Sequence, residues 1–350
     1  MENRRGNWVV TPIVLLSCFV GLIFPADKQF LLSTYLDSNP IESLSNPEPT
    51  WGLKLQEKVV LRSVYKAWDL NSTFVGQGFL EPSLILDSKL VGSAMIIARR
   101  ALIKTWSFNT HLESFQKLYL KELQLSSRSM MSIALERRPD KQTKQSLGIS
   151  GLRSQIDRGA LYSYLEGQAF LELWRPLTST LRSEIKLTLG QARFNDLPVR
   201  ELTDSSTVFI VEGKDQKDQF GRLTIHLRHQ GRMIYGLALT HEIVASNSIF
   251  GEAKTWLVKI YASQRMGKHS YLHLVLQGMD KNYQHRDLNA LNLFRDPEEI
   301  IQNQIHCQLE RVIDPNRSIY LQYGYLKNET IFNQWFYEKQ ILEVGLKLSL

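Results

Sequence analysis

The chain has 350 residues, 43% of them hydrophobic, enough to bury a large core or clothe a large apolar surface, which excludes disorder along its whole length. Its formal charge is +7, but Lys and Arg are scattered singly among apolar residues rather than gathered in runs, which argues against a nucleic-acid-binding stripe. No zinc, P-loop or dinucleotide fingerprint occurs, and no cofactor is expected.

Residues 1–26 read as an export signal. Arg4 and Arg5 precede an apolar run, 8–24, broken only by Thr11, Pro12, Ser17 and Gly21, and Asp27 and Lys28 follow, with cleavage expected after Ala26. An uncleaved helical anchor is the alternative, but the run falls short of the roughly 20 residues a membrane helix needs and contains a proline. Leu15-Leu16-Ser17-Cys18 looks like a weak lipoprotein box, which would instead leave Cys18 lipidated. Removal of the signal leaves Cys307 as the single thiol, so no intramolecular disulfide can form in the mature chain. Residues 27–50, rich in Ser, Asn, Pro and Glu from Asp37 onward, read as a solvated linker.

From residue 51 to 350 no apolar run is long enough for a membrane helix, and the recurring signal is alternation. The stretch 84–138 is ambiguous, because Met95, Ile96, Ile97, Ala98, Ala101, Leu102 and Ile103 fit helical spacing as well as period two. Strands are expected there, with a helical plug or periplasmic element as the alternative. Further on, Leu181, Ile185, Leu187 and Leu189 alternate with Arg182, Glu184, Lys186 and Thr188; Leu223, Ile225 and Leu227 alternate with Arg222, Thr224, His226 and Arg228. The pattern continues through Tyr235, Leu237 and Leu239, through Trp256, Val258 and Ile260 against Lys259, and through Leu272, Leu274 and Leu276. It persists at Ile305, Cys307 and Leu309, and at Ile319, Leu321, Tyr323 and Tyr325, and a strand sends such successive side chains to opposite faces.

Short polar segments separate these runs: His229-Gln230-Gly231-Arg232, Arg265-Met266-Gly267-Lys268 and Asp314-Pro315-Asn316. The result is an antiparallel meander. An open sheet of this size would expose an apolar face and two edges, whereas a closed barrel in lipid pairs every edge and gives the apolar face a solvent. The predicted fold is all-β, a closed antiparallel transmembrane β-barrel of about 12 to 16 strands.

The last segment, 340–350, places Leu342, Val344, Leu346, Leu348 and Leu350 on one face. A terminal strand of this kind resembles that of bacterial outer-membrane β-barrel proteins, porin-like ones included. The resemblance implies an outer-membrane location, lipid as surroundings, and recognition of Leu346, Leu348 and Leu350 by the barrel-assembly machinery, although members of that class usually end in Phe or Trp. Tyr320, Tyr323, Tyr325, Trp335, Phe336 and Tyr337 are similar to the interfacial aromatic girdles of such barrels.

If the apolar set faces lipid, the lumen receives Arg182, Lys186, Arg222, Arg228, Lys259 and Lys347 against Glu184, Glu310 and Glu343, with His226 among them. A basic lumen favours small anionic solutes, so a porin-like passive channel with mild anion preference is expected, the alternative for these charges being a packed lumen that conducts nothing. Two other functions fit less well. His241 with Ser246 and Asn247 resembles the residue set of outer-membrane phospholipase, but the spacing breaks the geometry a base needs, so no catalytic residue is assigned. A structural or adhesive barrel would act through a loop at 279–302, where Asp280, Lys281, Asn282, His285, Arg286, Asp287 and Asp296 lie. The histidines show no metal spacing; His226 and His229, three apart on a strand, point to opposite faces, and neither a metal nor nucleic acid is expected.

Overall fold

The computed structural model describes residues 27–38, 49–81, 88–120, 124–140, 142–156, 163–202, 208–249, 251–283, 303–328 and 337–350. They form sixteen strands. The first eight are β1 (Asp27–Asp37), β2 (Thr50–Tyr65), β3 (Trp68–Leu80), β4 (Lys89–Ile103), β5 (Trp106–Tyr119), β6 (Gln124–Arg137), β7 (Lys144–Ile156) and β8 (Tyr164–Pro176). Then follow β9 (Leu181–Leu202), β10 (Val208–Gln230), β11 (Met233–Ser246), β12 (Ala253–Met266), β13 (Ser270–Tyr283), β14 (Asn303–Asp314), β15 (Arg317–Asn328) and β16 (Tyr337–Ser349).

Each strand pairs antiparallel with its sequence neighbours, and β1 pairs with β16, so the sheet closes into a barrel with no free edge. Among the described residues there is no helix, so the ambiguous stretch 84–138 is strand wherever it is described. Met95 and Ile97 share the inner face with Arg99, and Ile96 lies outside. Apolar residues on both faces are what imitated helical spacing.

The expected linker, 27–50, needs correction. Its first part is β1, which supplies the closing contact: Tyr35 stands opposite Glu343 on one side and Gly52 on the other. The alternation of Phe30, Leu32, Thr34 and Leu36 was hidden by Leu31 and Tyr35 on the other face. The proposed signal peptide, 1–26, and Cys18 lie outside the described residues.

Turn chemistry follows the residues. Lys66 (φ 54°) and Gly267 (φ 75°) take the left-handed conformation in tight turns, as hairpin connections require. The Asp314 carboxylate accepts the Asn316 amide at 2.9 Å and the Arg317 Nε–H at 2.7 Å across the β14–β15 turn. The connections 66–67, 104–105, 138–143, 177–180, 231–232, 267–269 and 315–316 all lie at the end where β1 starts and β16 stops; the longest connection, 284–302, lies at the other.

Burial runs opposite to that of a water-soluble protein. Leu147 and Ile149 are each 62% exposed, and exposed Leu, Ile and Val recur on the outward face of most strands. The buried set is rich in polar groups such as Ser33, Asp37, Glu81, Lys117, Thr188, Asp218 and Glu343. A contiguous apolar outer wall of this extent has no place in water and is at home in hydrocarbon, where closure has already satisfied the backbone.

Inside, aromatic rings roof glycines on neighbouring strands: Tyr35 over Gly52, Phe170 over Gly148, Phe220 over Gly190, Tyr261 over Gly236 and Tyr320 over Gly345. A methyl group at any of these glycines would lie 2.3–2.6 Å from a ring atom. The missing side chain is therefore what lets the ring lie flat on the wall and fixes the register of that strand pair.

Candidate functional site on the inner wall

The inner face of β9–β12 carries most of the predicted lumen set, aligned by register. Arg182 stands opposite Arg228, and Gly236 and Tyr261 continue that row. Glu184, His226, Ala238 and Lys259 form the next row, then Lys186, Thr224 and Thr240, then Thr188, Arg222 and Glu242. Even-numbered residues of β9–β11 and odd-numbered residues of β12 thus share one surface.

Several of these charges are compensated. Arg222 Nε donates to Glu242 at 2.7 Å. His226 bridges, with Nδ1 3.4 Å from Glu184 and Nε2 3.1 Å from the Tyr261 hydroxyl. Thr224 and Thr240 share a hydrogen bond of 3.1 Å. The remaining cations are not neutralised: Arg182, Lys186, Arg228 and Lys259 form no ion pair among the described residues. Lys186 instead lies 4.8 Å above the Phe170 ring, and the Arg228 Nε–H is buried without an acceptor. A low-dielectric wall studded with uncompensated cations presents a positive potential to whatever water fills the space beside it.

Lys347 belongs elsewhere. It donates to Glu310 at 2.6 Å, and Ser318 donates to the same carboxylate at 2.6 Å. Next to it Glu343 accepts from Ser33 at 2.7 Å, from Lys54 at 3.3 Å and from Tyr320, while Lys339 pairs with Asp37 at 2.9 Å and Tyr35 donates to Glu81 at 3.0 Å. This polar cluster spans the junction of β14, β15, β16, β1 and β2 and reaches Glu81, the residue after β3. It is the principal feature that sequence reading missed, along with the ion pairs Lys144–Glu172 at 2.6 Å and Arg99–Glu136 at 3.5 Å. Its signal in the sequence was slight, since Lys54 and Glu343 are 289 residues apart and are brought together only by barrel closure.

The aromatic set divides. Tyr323 and Tyr325 point outward near the loop end of β15, whereas Tyr320 points inward, 3% exposed, as its position in the alternation requires. It therefore leaves the girdle set. Trp335 and Phe336 lie outside the described residues, and Tyr337 opens β16. Outward aromatics also occur at both ends of the wall: Trp51 and Trp256 toward the loops, and Trp68, Trp106 and Tyr235 toward the turns. The turn-end tryptophans carry cations, with Arg100 5.8 Å from Trp68 and Arg137 5.7 Å from Trp106. Leu346 and Leu348 face outward with Leu342 and Val344, and Leu350, 76% exposed, hydrogen-bonds through its amide to the Lys28 carbonyl at 2.8 Å.

His241 and Ser246 lie on opposite faces of β11. His241 stacks outward on Trp256 at 4.0 Å between ring centres, while the Ser246 hydroxyl, on the inner face, accepts the Ser248 amide at 3.0 Å. A base and a nucleophile separated by the sheet cannot exchange a proton, so the phospholipase-like pairing is not formed. In the predicted 279–302 loop, residues as far as Tyr283 belong to β13, and His285, Arg286, Asp287 and Asp296 lie outside the described residues. Among the described residues no three His, Cys, Asp or Glu side chains converge as metal ligands.

No protein-family model matches the chain, and no curated protein matches it. Among solved structures, a BenF-like porin from Pseudomonas fluorescens Pf-5 aligns at 9% identity and a TM-score of 0.49 over 94% of this chain and 100% of its own. OccAB3 of Acinetobacter baumannii aligns at 7% identity and a TM-score of 0.47, and the outer membrane protein opdK of Pseudomonas aeruginosa at 10% and 0.45, each over 93% of this chain and 99% of its own.

Proposed function

We propose that the chain is a porin-like passive channel of a bacterial outer membrane with a mild preference for small anions. The observation that carries this reading is closure at sixteen strands with an apolar exterior and a polar, charged interior. A barrel of that strand number is too wide for its side chains to fill and leaves an aqueous passage. The short connections at the end holding both barrel termini correspond to periplasmic turns, and the longer ones to the outer surface. Trp51, Trp256, Tyr323 and Tyr325 at one level and Trp68, Trp106 and Tyr235 at the other then anchor the barrel at the two interfaces. The outward row Leu346, Leu348 and Leu350 serves as the signal read by the barrel-assembly machinery.

The anion preference rests on Arg182, Lys186, Arg228 and Lys259. It is mild because much of the other inner charge is paired, as in Lys347–Glu310 and Arg222–Glu242. The test is planar-bilayer recording of the purified protein across a potassium chloride gradient. Discrete conductance steps with a reversal potential displaced toward that of chloride are expected. Cation selectivity would reject the preference, and a silent bilayer with folded protein would reject the channel.

A further inference from the structure

At the turn end of the inner wall lies a cavity of about 250 Å³, lined by Arg138, Gln142, Thr143, Lys144, Trp174 and Arg182. With liquid water taking about 30 Å³ per molecule, it has room for a small solute and part of its hydration shell. We propose that this cavity is a binding site for a small oxyanion. The proposal rests on the reading that the face carrying Lys144, Trp174 and Arg182 is the water side of the wall, and does not require that the barrel conduct.

The lining is a set of donors. No carboxylate is among the lining side chains, and the charged groups packed around them leave the balance positive. Arg138 Nε donates to Glu136 at 2.6 Å, a carboxylate it shares with Arg99. Lys144 pairs with Glu172 at 2.6 Å while lying 5.0 Å from the centre of the Trp174 ring. Glu184, opposite Trp174, is engaged with His226. Arg182 has no carboxylate partner among the described residues, and Arg228, likewise unpaired, stands opposite it. Trp174, one of the lining residues, adds a second observation: its Nε1–H is buried with no acceptor. Guanidinium groups reach the cavity from β9 and from the 138–143 connection, an arrangement suited to an anion with oxygens on more than one side.

The connection is set for the purpose. Asp140 accepts the backbone amides of Gln142 at 2.7 Å and Thr143 at 2.6 Å, turning those residues toward the cavity. These bonds, the Gln142 amide foremost, hold the Asp140 carboxyl below the usual carboxylate range. A depressed folded value means the turn's support is complete above the ordinary aspartate range and is lost only as pH falls through the lowered one. The support that Asp140 gives the turn is therefore present at neutral pH.

The test is calorimetric titration of inorganic phosphate into the folded barrel in a phospholipid-free detergent at constant ionic strength. Heat-modifiable gel migration checks the fold of every variant. Saturable binding is expected, weakened at least tenfold by Arg182→Gln and unchanged by Lys58→Gln, which removes a cation of the inner face on β2, away from the cavity. A Trp174→Phe variant should lose the fluorescence change that accompanies saturation. Absence of saturable binding, equal weakening by both substitutions, or insensitivity to Arg182→Gln overturns the site; the second result would mean only diffuse attraction to a basic wall. Binding seen only after phospholipid is added would assign the cavity to a lipid headgroup and overturn a free-solute site. A barrel that binds phosphate but carries no current would keep the site and refute the channel, so the two ideas fail separately.

Discussion

Glu343→Ala is expected to destabilise the folded barrel by about 3–5 kcal/mol, the loss typical when one member of a buried ion pair is removed and the other charge is left behind. Glu343 and Lys54 have side chains only 5% and 15% exposed, and the same carboxylate receives the hydroxyls of Ser33 and Tyr320. Four groups on β16, β1, β2 and β15 thus converge where the sheet closes. Alanine strands the Lys54 ammonium and two hydroxyls, and it frees the Tyr320 ring that lies over Gly345. Denaturant unfolding in detergent micelles, followed by gel migration, reads the effect. A midpoint equal to that of the unchanged protein would mean that the seam is held by backbone pairing alone.

The combined substitution Lys186→Glu and Lys259→Glu is expected to invert the sign of the reversal potential. Both positions lie on the inner face of β9–β12, neither has a carboxylate partner among the described residues, and the double change alters the wall by four charges without touching the Glu343 cluster. The field of fixed charges on a low-dielectric wall acts on permeating ions directly, so selectivity should change while the conductance steps persist. An unchanged reversal potential would show that ions pass along another part of the lumen.

How much of this was legible in the sequence depends on what each strand carries. In β9 to β16 the inner residues are mostly polar and the outer ones apolar, so faces and lumen charges could be read directly, and Lys186 against Ile185 and Leu187 is the clearest case. In β1 and β4 both faces carry apolar groups, as Leu31 beside Leu32 and Met95 beside Ile96 show, and periodicity loses its contrast. Sixteen strands falls at the upper limit of the expected range because β1 lies in the stretch read as linker; the remaining chain holds the other fifteen, from β2 at Thr50 to β16, about 20 residues for each strand and its turn. Tyr320 differs from its aromatic neighbours for another reason: closeness in sequence groups it with Tyr323 and Tyr325, but position in the alternation decides the face.

Which charges remain uncompensated was beyond reach. Compensation is set by register across strands distant in sequence, as with Lys54 and Glu343, and by reach across a row, as with His226 and Glu184. A count of basic against acidic residues sees neither. The glycines under aromatic rings are equally invisible until register places Phe170 over Gly148.

The claim on which everything else depends is that successive residues of a strand face hydrocarbon and water in turn. Nitroxide labels placed one at a time from residue 185 to 189 of the bilayer-reconstituted protein test it, using collision with oxygen, which partitions into lipid, and with a water-soluble nickel chelate. Labels at Ile185, Leu187 and Leu189 should favour oxygen, and those at Lys186 and Thr188 the chelate, giving a strict period of two. Equal access of the chelate to all five positions, or no alternation at all, would contradict a lipid-facing outer wall.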